Sequence, residues 1–391
     1  MRHAAHTALR VAQLIETDGP GGAEHVVAEL ARALQAGGAD TTVFLPARGE
    51  GWLARQLEGS GASTESFSID RPVAPEVVRS LAQTFRERRI TIAHSHEFSM
   101  AVYGAWAARL AGIPHVITMH GGRYYAGKLR RRLALRSAVA LSSGTVGVSA
   151  SVTQALSHDL RMRRSRLLMI PNGVRYERPS SITLREELGL GADARLVVAI
   201  GNLYAVKGHQ YLIDALDLLS ERHPTLHVAI AGRGDLEEPL RARARAYRLT
   251  QRVHLLGLRP DVPALMAAAD VFVLPSLSEG LPLALLEAMF AGRTIVATDV
   301  GDVGVALERG GAGVLVPPGD AGALAAALGA VLDDPDRARR LSVAAAARAA
   351  AEYDISRMVT RYVNVYRQHL PALEPAALSA WTPDSTGART T

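Results

Sequence analysis

Twice along these 391 residues, short apolar runs alternate with helical segments. The first set of predicted strands covers 9–15, 41–45, 63–67, 91–94, 115–119 and 145–148, with helices such as 23–35, 76–88 and 100–111 between them. The second set covers 196–200, 226–231, 252–255, 271–274, 294–298 and 313–316. Apolar strands separated by helices build a parallel sheet covered on both faces. The predicted fold class is therefore α/β, with two doubly wound parallel-sheet domains of similar size facing across a cleft. The expected boundaries are 1–174 for the first domain and 175–353 for the second, with a polar linker region at 175–194. A last helix covers 354–370, where Val359, Tyr362, Val363 and Tyr366 recur at helical spacing as a packing face. Residues 371–391, rich in Pro, Ala, Ser and Thr, read as a disordered tail.

Composition narrows the function classes. With 48% apolar and 21% charged residues the chain is an ordinary folded one. No apolar run approaches the length of a membrane span, and residues 1–10 lack the apolar core of a signal peptide. There is no cysteine, so there is no disulfide framework and no thiolate chemistry. The expected location is the cytoplasm. The net charge of +6 suits anionic partners. Without zinc spacing, a basic helix-turn-helix or an aromatic stacking platform, no nucleic-acid partner is expected. Only two of the 44 basic residues are lysines, Lys128 and Lys207, which draws attention to each.

The stretch 276–292 carries the sharpest chemical signal. Gly280 and Pro282 mark a helix start, with the proline in the first turn, and Gly292 marks a stop. Between them Leu281, Leu283, Leu285, Leu286, Met289 and Phe290 make the helix apolar on every side, hence buried. Yet it carries Glu287 in its middle, and Glu279 stands just before it. A buried carboxylate is costly unless its oxygens find donors. Glu287 lies beneath the first turn, on the face of Leu283, where free amides and the helix dipole make an anion site. Two carboxylates flanking an anion site suit a ligand with phosphates and several hydroxyls. The plain alternative makes Glu279 a loop charge and pairs Glu287 with a buried arginine.

Other strand ends add candidates. Asp18 to Glu24, containing Gly21 and Gly22, links the first strand to a helix and lets a backbone approach a ligand closely. His94 and His96 suit local hydrogen bonding better than metal ligation, for want of a third ligand. His120, followed by Gly121 and Gly122, is the better functional histidine. Lys207 stands at a helix start, where a lysine opposes the dipole unless an anion lies between them. The turn around Arg233 could close over a base or phosphate. Residues 123–136 read as a basic amphipathic helix, suited to an anionic membrane surface or to plain solvation. A second basic cluster follows at Arg161, Arg163, Arg164 and Arg166.

Taken together, these motifs resemble glycosyltransferase family 4, the retaining, nucleotide-sugar-dependent enzymes of the GT-B fold. The resemblance rests on Glu279-x7-Glu287 within Pro-Ser-Leu-Ser-Glu-Gly-Leu-Pro-Leu, preceded by Ala269 to Pro275 and followed by the run 313–319. Pro171-Asn-Gly and Val206-Lys-Gly stand in the same order as in the family. It implies two Rossmann-like domains, the first on the acceptor side and the second on the nucleotide-sugar side, with the last helix crossing back to the first. It assigns His120, Lys207 and Glu279 to catalysis, Glu279 at the donor sugar's hydroxyls and Lys207 at the diphosphate. It places Glu287 on the ribose. Gly21, Gly22, Asn202, Arg233, Gly280, Leu281 and Leu283 complete the donor site, with Leu281 and Leu283 offering amides. Three positions depart from the family pattern. Asn202 stands where an arginine is usual, Gly301-Asp-Val-Gly-Val305 replaces Gly-Gly-x-Pro-Glu, and Thr91 replaces an aspartate.

The implied reaction moves a sugar from a UDP- or GDP-sugar to an acceptor hydroxyl on a glycan, a lipid-linked or a natural-product acceptor. The nucleotide sugar is a co-substrate; no cofactor and no metal are expected. A nucleotide-sugar epimerase, a glycosyl phosphorylase or a non-catalytic sugar-nucleotide-binding protein are the alternatives. The basic stretch 123–136 would add a peripheral contact at the inner membrane face.

Overall fold

The computed structural model describes residues 9–71 and 74–370. The chain divides into two compact units, one running to Gly173 and resuming at Ile355, the other covering Val174–Asp354.

The sheet of the first unit holds β1 (Arg10–Leu14), β2 (Asp40–Pro46), β3 (Ser63–Phe67), β4 (Ile92–His96), β5 (His115–Met119), β6 (Gly144–Gly147) and β7 (Leu168–Met169), in the order β3-β2-β1-β4-β5-β6-β7. All pairings are parallel. The second unit holds β8 (Arg195–Ile200), β9 (Leu226–Ala231), β10 (Val253–Gly257), β11 (Val271–Leu274), β12 (Thr294–Thr298) and β13 (Val314–Val316), in the order β10-β9-β8-β11-β12-β13. The order reverses direction beside β1 and beside β8, and ligands of such sheets bind beyond the carboxyl ends at these switch points. Strands such as Leu196–Ala199 have no exposed residue because helices cover both faces.

Four expectations need correction. First, the strand predicted to stop at His94 runs on to His96, because Ser95 and His96 pair with Ile117 and Thr118 of β5. Both histidines are therefore buried sheet residues. Second, no helix begins at 123. Tyr125 sinks into the core at 2% exposure, Ala126 N–H closes a turn on Arg123, and the helix starts only at Leu129, ending at Leu141. Third, 175–194 is not simply a linker. Leu184 opens a short helix, Leu184–Glu187, and is buried in the second unit's core with Leu188 and Leu190 packed beside it. Fourth, Pro282 caps the helix instead of entering it. The predicted tail at 371–391 lies outside the described residues.

Among the described residues no helix is long and apolar enough to cross a membrane. The last helix, Ile355–His369, belongs to the first unit and buries Tyr362 and Tyr366 completely.

Candidate active site

In the second unit the site residues gather at the carboxyl ends of β8, β11 and β12. The helix Leu283–Phe290 is held by Leu285, Leu286, Ala288 and Met289, all fully buried. Each leucine contributes about 2 kcal/mol by burial, so the helix start is firmly placed. Gly292, with φ +63, adopts the left-handed conformation that follows a helix end.

The loop before this helix is clamped by backbone. Leu277 N–H donates to Val206 O at 2.8 Å, and Asp302 N–H donates to Gly280 O at 2.9 Å. Gly208 and Gly301 both have positive φ, and a Cβ at either would lie 2.1 Å from a carbonyl oxygen, that of Pro275 or Glu279. Glycine at 301, where the family pattern differs further on, is thus required by the close approach of the Glu279 loop.

Within that clamp, Lys207 Nζ and Ser276 Oγ each donate to Glu279 Oε1 at 2.7 Å. The Glu279 side chain is only 9% exposed. Glu287 behaves differently. Among the described residues its carboxyl has no hydrogen bond and no ion pair, and burial pushes it up to about 7. Among the described residues no arginine pairs with it, against the plain alternative. Leu281 is buried, and Leu283 opens the helix, where amides lack intrahelical partners.

Asn202 lies on the loop after β8. Leu203 N–H donates to Arg233 O at 2.8 Å, so the Gly232–Gly234 turn is tied to that loop. A Cβ on Gly232 would lie 2.0 Å from Gly201 O. This contact brings Arg233 onto the loop where the family's usual arginine is replaced. Sequence reasoning missed two groups here. Ser276 is one. The other is His209, buried, whose Nε2–H donates to Gly201 O at 3.1 Å while its Nδ1 has no partner among the described residues. Burial pushes His209 down to about 4.

In the first unit, Gly21 caps the helix Gly22–Ala36, and Gly22 has open space where a side chain would go. His120 sits at the end of β5. Its Nε2 lies 3.0 Å from His96 Nδ1, its buried Nδ1 has no partner among the described residues, and burial pushes the ring down to about 4. Its backbone N–H donates to Glu97 Oε1 at 2.9 Å. Glu97 is a further missed residue. It holds φ +62, a strained conformation for a side chain of this kind, and such strain gathers at functional sites. Burial pushes it up to about 7, with Glu16 and Glu24 adding to the rise against the pull of the His120 N–H. Its only sequence signal is its place directly after His94-Ser-His96.

His94 and His96 engage side chains with all their ring nitrogens. Arg136 and the second basic cluster, through Arg161, Arg163 and Arg166, line a cavity of about 820 Å³ at the start of β6.

Comparison with known proteins places both halves. Residues 180–348 match the model of glycosyl transferases group 1, and residues 20–178 that of glycosyltransferase family 4. The chain is 30% identical over 235 residues to an Escherichia coli UDP-Gal:alpha-D-GlcNAc-diphosphoundecaprenol alpha-1,3-galactosyltransferase, covering 56% of this chain and 61% of that one. This chain thus spans about three fifths of that relative's length. It is 31% identical over 358 residues to the phosphatidyl-myo-inositol mannosyltransferase of Mycobacterium leprae, covering 89% of this chain and 93% of the relative. Among solved structures, Anabaena HepE in complex with UDP-glucose superimposes with a TM-score of 0.81 at 26% identity, covering 92% of this chain and all of that one.

Proposed function

The chain belongs to glycosyltransferase family 4, retaining nucleotide-sugar-dependent enzymes of the GT-B fold, and from that premise we propose that it transfers a sugar from a uridine diphosphate donor to an acceptor hydroxyl. The observation that carries this reading is the pair of unlike carboxylates. Glu279 is held by Lys207 and Ser276 at 2.7 Å, whereas the half-buried Glu287 carboxyl has no partner among the described residues. A carboxylate so placed needs hydroxyl donors, which a ribose supplies. Uridine is favoured over guanosine because HepE, alike over 92% of this chain, was solved with UDP and with UDP-glucose.

In the proposed reaction the bond between the anomeric carbon and the diphosphate oxygen breaks. The acceptor oxygen forms its bond on the same face, and its proton passes to the departing diphosphate. Lys207, with Arg233 and the amides of Leu281 and Leu283, offsets the charge that grows on that diphosphate. Asn202 and Gly280 complete the donor's surroundings. Glu279 orients sugar hydroxyls, and His120 contacts the sugar. Gly21 and Gly22 give the backbone closeness that a diphosphate requires.

A panel of UDP- and GDP-sugars, scored by nucleoside diphosphate release with and without acceptors, tests this. Acceptor-dependent UDP release is expected. Conversion of the donor without release would instead indicate an epimerase, and tight binding without turnover a binding protein.

A membrane-surface contact is supported by the helix Leu129–Leu141. Leu129 and Leu133 are 63% and 57% exposed beside Arg130, Arg131 and Arg132, and the Arg131 guanidinium lies 3.6 Å over the exposed Tyr124 ring. Exposed apolar groups among arginines suit an anionic lipid surface. Binding to anionic vesicles should fall with salt and with Arg130, Arg131 and Arg132 changed to Glu; no binding at low salt would refute it.

A further inference from the structure

A chain of buried hydrogen bonds connects the last helix to His120, and its members fix one another's protons. Gln13, His94, His96, Thr118, Tyr362 and Tyr366 have no exposed surface. Gln13 Nε2 donates to the Tyr366 hydroxyl at 3.2 Å, which leaves that hydroxyl's own hydrogen for His94 Nδ1 at 2.6 Å. His94 Nε2–H then donates to Thr118 Oγ1 at 2.7 Å, which also meets the Tyr362 hydroxyl at 3.1 Å.

The other end of the Gln13 amide sets the second branch. Gln13 Oε1 can only accept, so the 2.7 Å contact is His96 Nε2–H donating to it. A neutral imidazole carries a single N–H. His96 Nδ1 is therefore a lone pair, and the 3.0 Å contact is His120 Nε2–H donating to it. His120 Nδ1 is left as a lone pair, and no group among the described residues donates to it.

We propose that Gln13 and Tyr366 are positioning residues that hold His120 in its Nε2–H tautomer, so that the enclosed Nδ1 stays a lone pair, which a hydroxyl of the donor sugar satisfies when binding brings it against the ring. The proposal rests on the reading that His120 contacts that sugar. Rotating the Gln13 amide by half a turn would reverse every bond and leave an N–H on His120 Nδ1 buried and unpaired. An orphaned buried N–H is rarer and less tolerable than an orphaned acceptor. The relay also gives the last helix a role beyond packing. Tyr362 and Tyr366, one turn apart, bring two hydroxyls to the interior of the first unit.

Histidine-selective nitrogen-15 NMR of the full chain reads the tautomer directly. The native protein should show His120 unprotonated at Nδ1, and Tyr366→Phe and Gln13→Leu should each give a mixture. Transfer assays should show kcat reduced roughly tenfold or more, as when a catalytic histidine takes the wrong tautomer, with donor KM within about twofold. In a His120→Ala background, Tyr366→Phe should cost nothing further. Protonation at Nδ1 in the native protein, an unchanged tautomer in both variants, or an additive loss on the His120→Ala background would each overturn the proposal. Tyr366→Phe preserves volume and carries the test if Gln13→Leu does not fold. A native protein that transfers no sugar would defeat the functional reading, while the NMR result would still decide the tautomer.

Discussion

Lys207 Nζ and Ser276 Oγ converge on the same oxygen of Glu279, each at 2.7 Å. A half-buried ion pair of this kind is a stored arrangement: a bound diphosphate would compete for the lysine, and sugar hydroxyls would compete for the carboxylate. Lys207→Met should lower kcat by about 100-fold, the usual loss when a transition-state donor is removed. Glu279→Gln should be nearly as costly. Steady-state kinetics on both single variants and the double variant check this. Near-native rates in either single variant would remove the pair from the mechanism.

Glu287 lends itself to a stability test with a definite sign. Burial raises its carboxyl to about 7 in the folded chain from an ordinary 4.5. Between those values the folded state binds more protons than the unfolded one, so this group's contribution falls as pH rises through about 7. Glu287→Gln should therefore be more stable than the native protein at pH 8, by about 1–3 kcal/mol, with the gain vanishing near pH 4. The same variant should lose donor affinity. Thermal melts at the two pH values, with and without UDP, separate the two effects.

Gly301 holds φ +56, and a Cβ there would lie 2.1 Å from the Glu279 carbonyl oxygen. Gly301→Ala should destabilise the second unit by about 2–4 kcal/mol and displace the loop that carries Glu279. Its kcat/KM should fall further than that of a control such as Gly292→Ala, whose φ is also positive but whose Cβ would meet nothing within 4 Å. Equal losses in the two would argue against a role for the clamp.

His120 is held down to about 4 by burial. It should stay neutral across the working range, and the profile of kcat/KM against pH should show no histidine ionisation between about pH 5 and 8. An inflection near 6.5 that disappears in His120→Asn would contradict this.

Arg233 and Asn202 lie on loops joined through Leu203 N–H and Arg233 O. Arg233→Ala should weaken donor binding about tenfold, and adding Asn202→Arg should restore much of it. Calorimetry with UDP reads both. No loss on Arg233→Ala would mean that the missing arginine is not replaced from this turn.

The fold class and the two-unit division were legible because strand and helix periods differ, and because a parallel sheet leaves apolar runs with few polar interruptions. The pairing of an oily helix with Glu287 was legible for the same reason: one charge stands out against Leu285, Leu286 and Met289. Sequence spacing also marked Lys207, one of only two lysines in the chain. What it could not supply was any contact between residues far apart in the chain. Tyr366 meets His94 across 272 positions, and the local pattern of the last helix says only that a tyrosine faces inward. The strand end at His96, the turn at Tyr125 and the strain at Glu97 were also set by tertiary partners. In each case a neighbouring strand, a core pocket or a buried backbone N–H outweighed the local preference, because burial and pairing energies exceed the small differences in propensity along the chain.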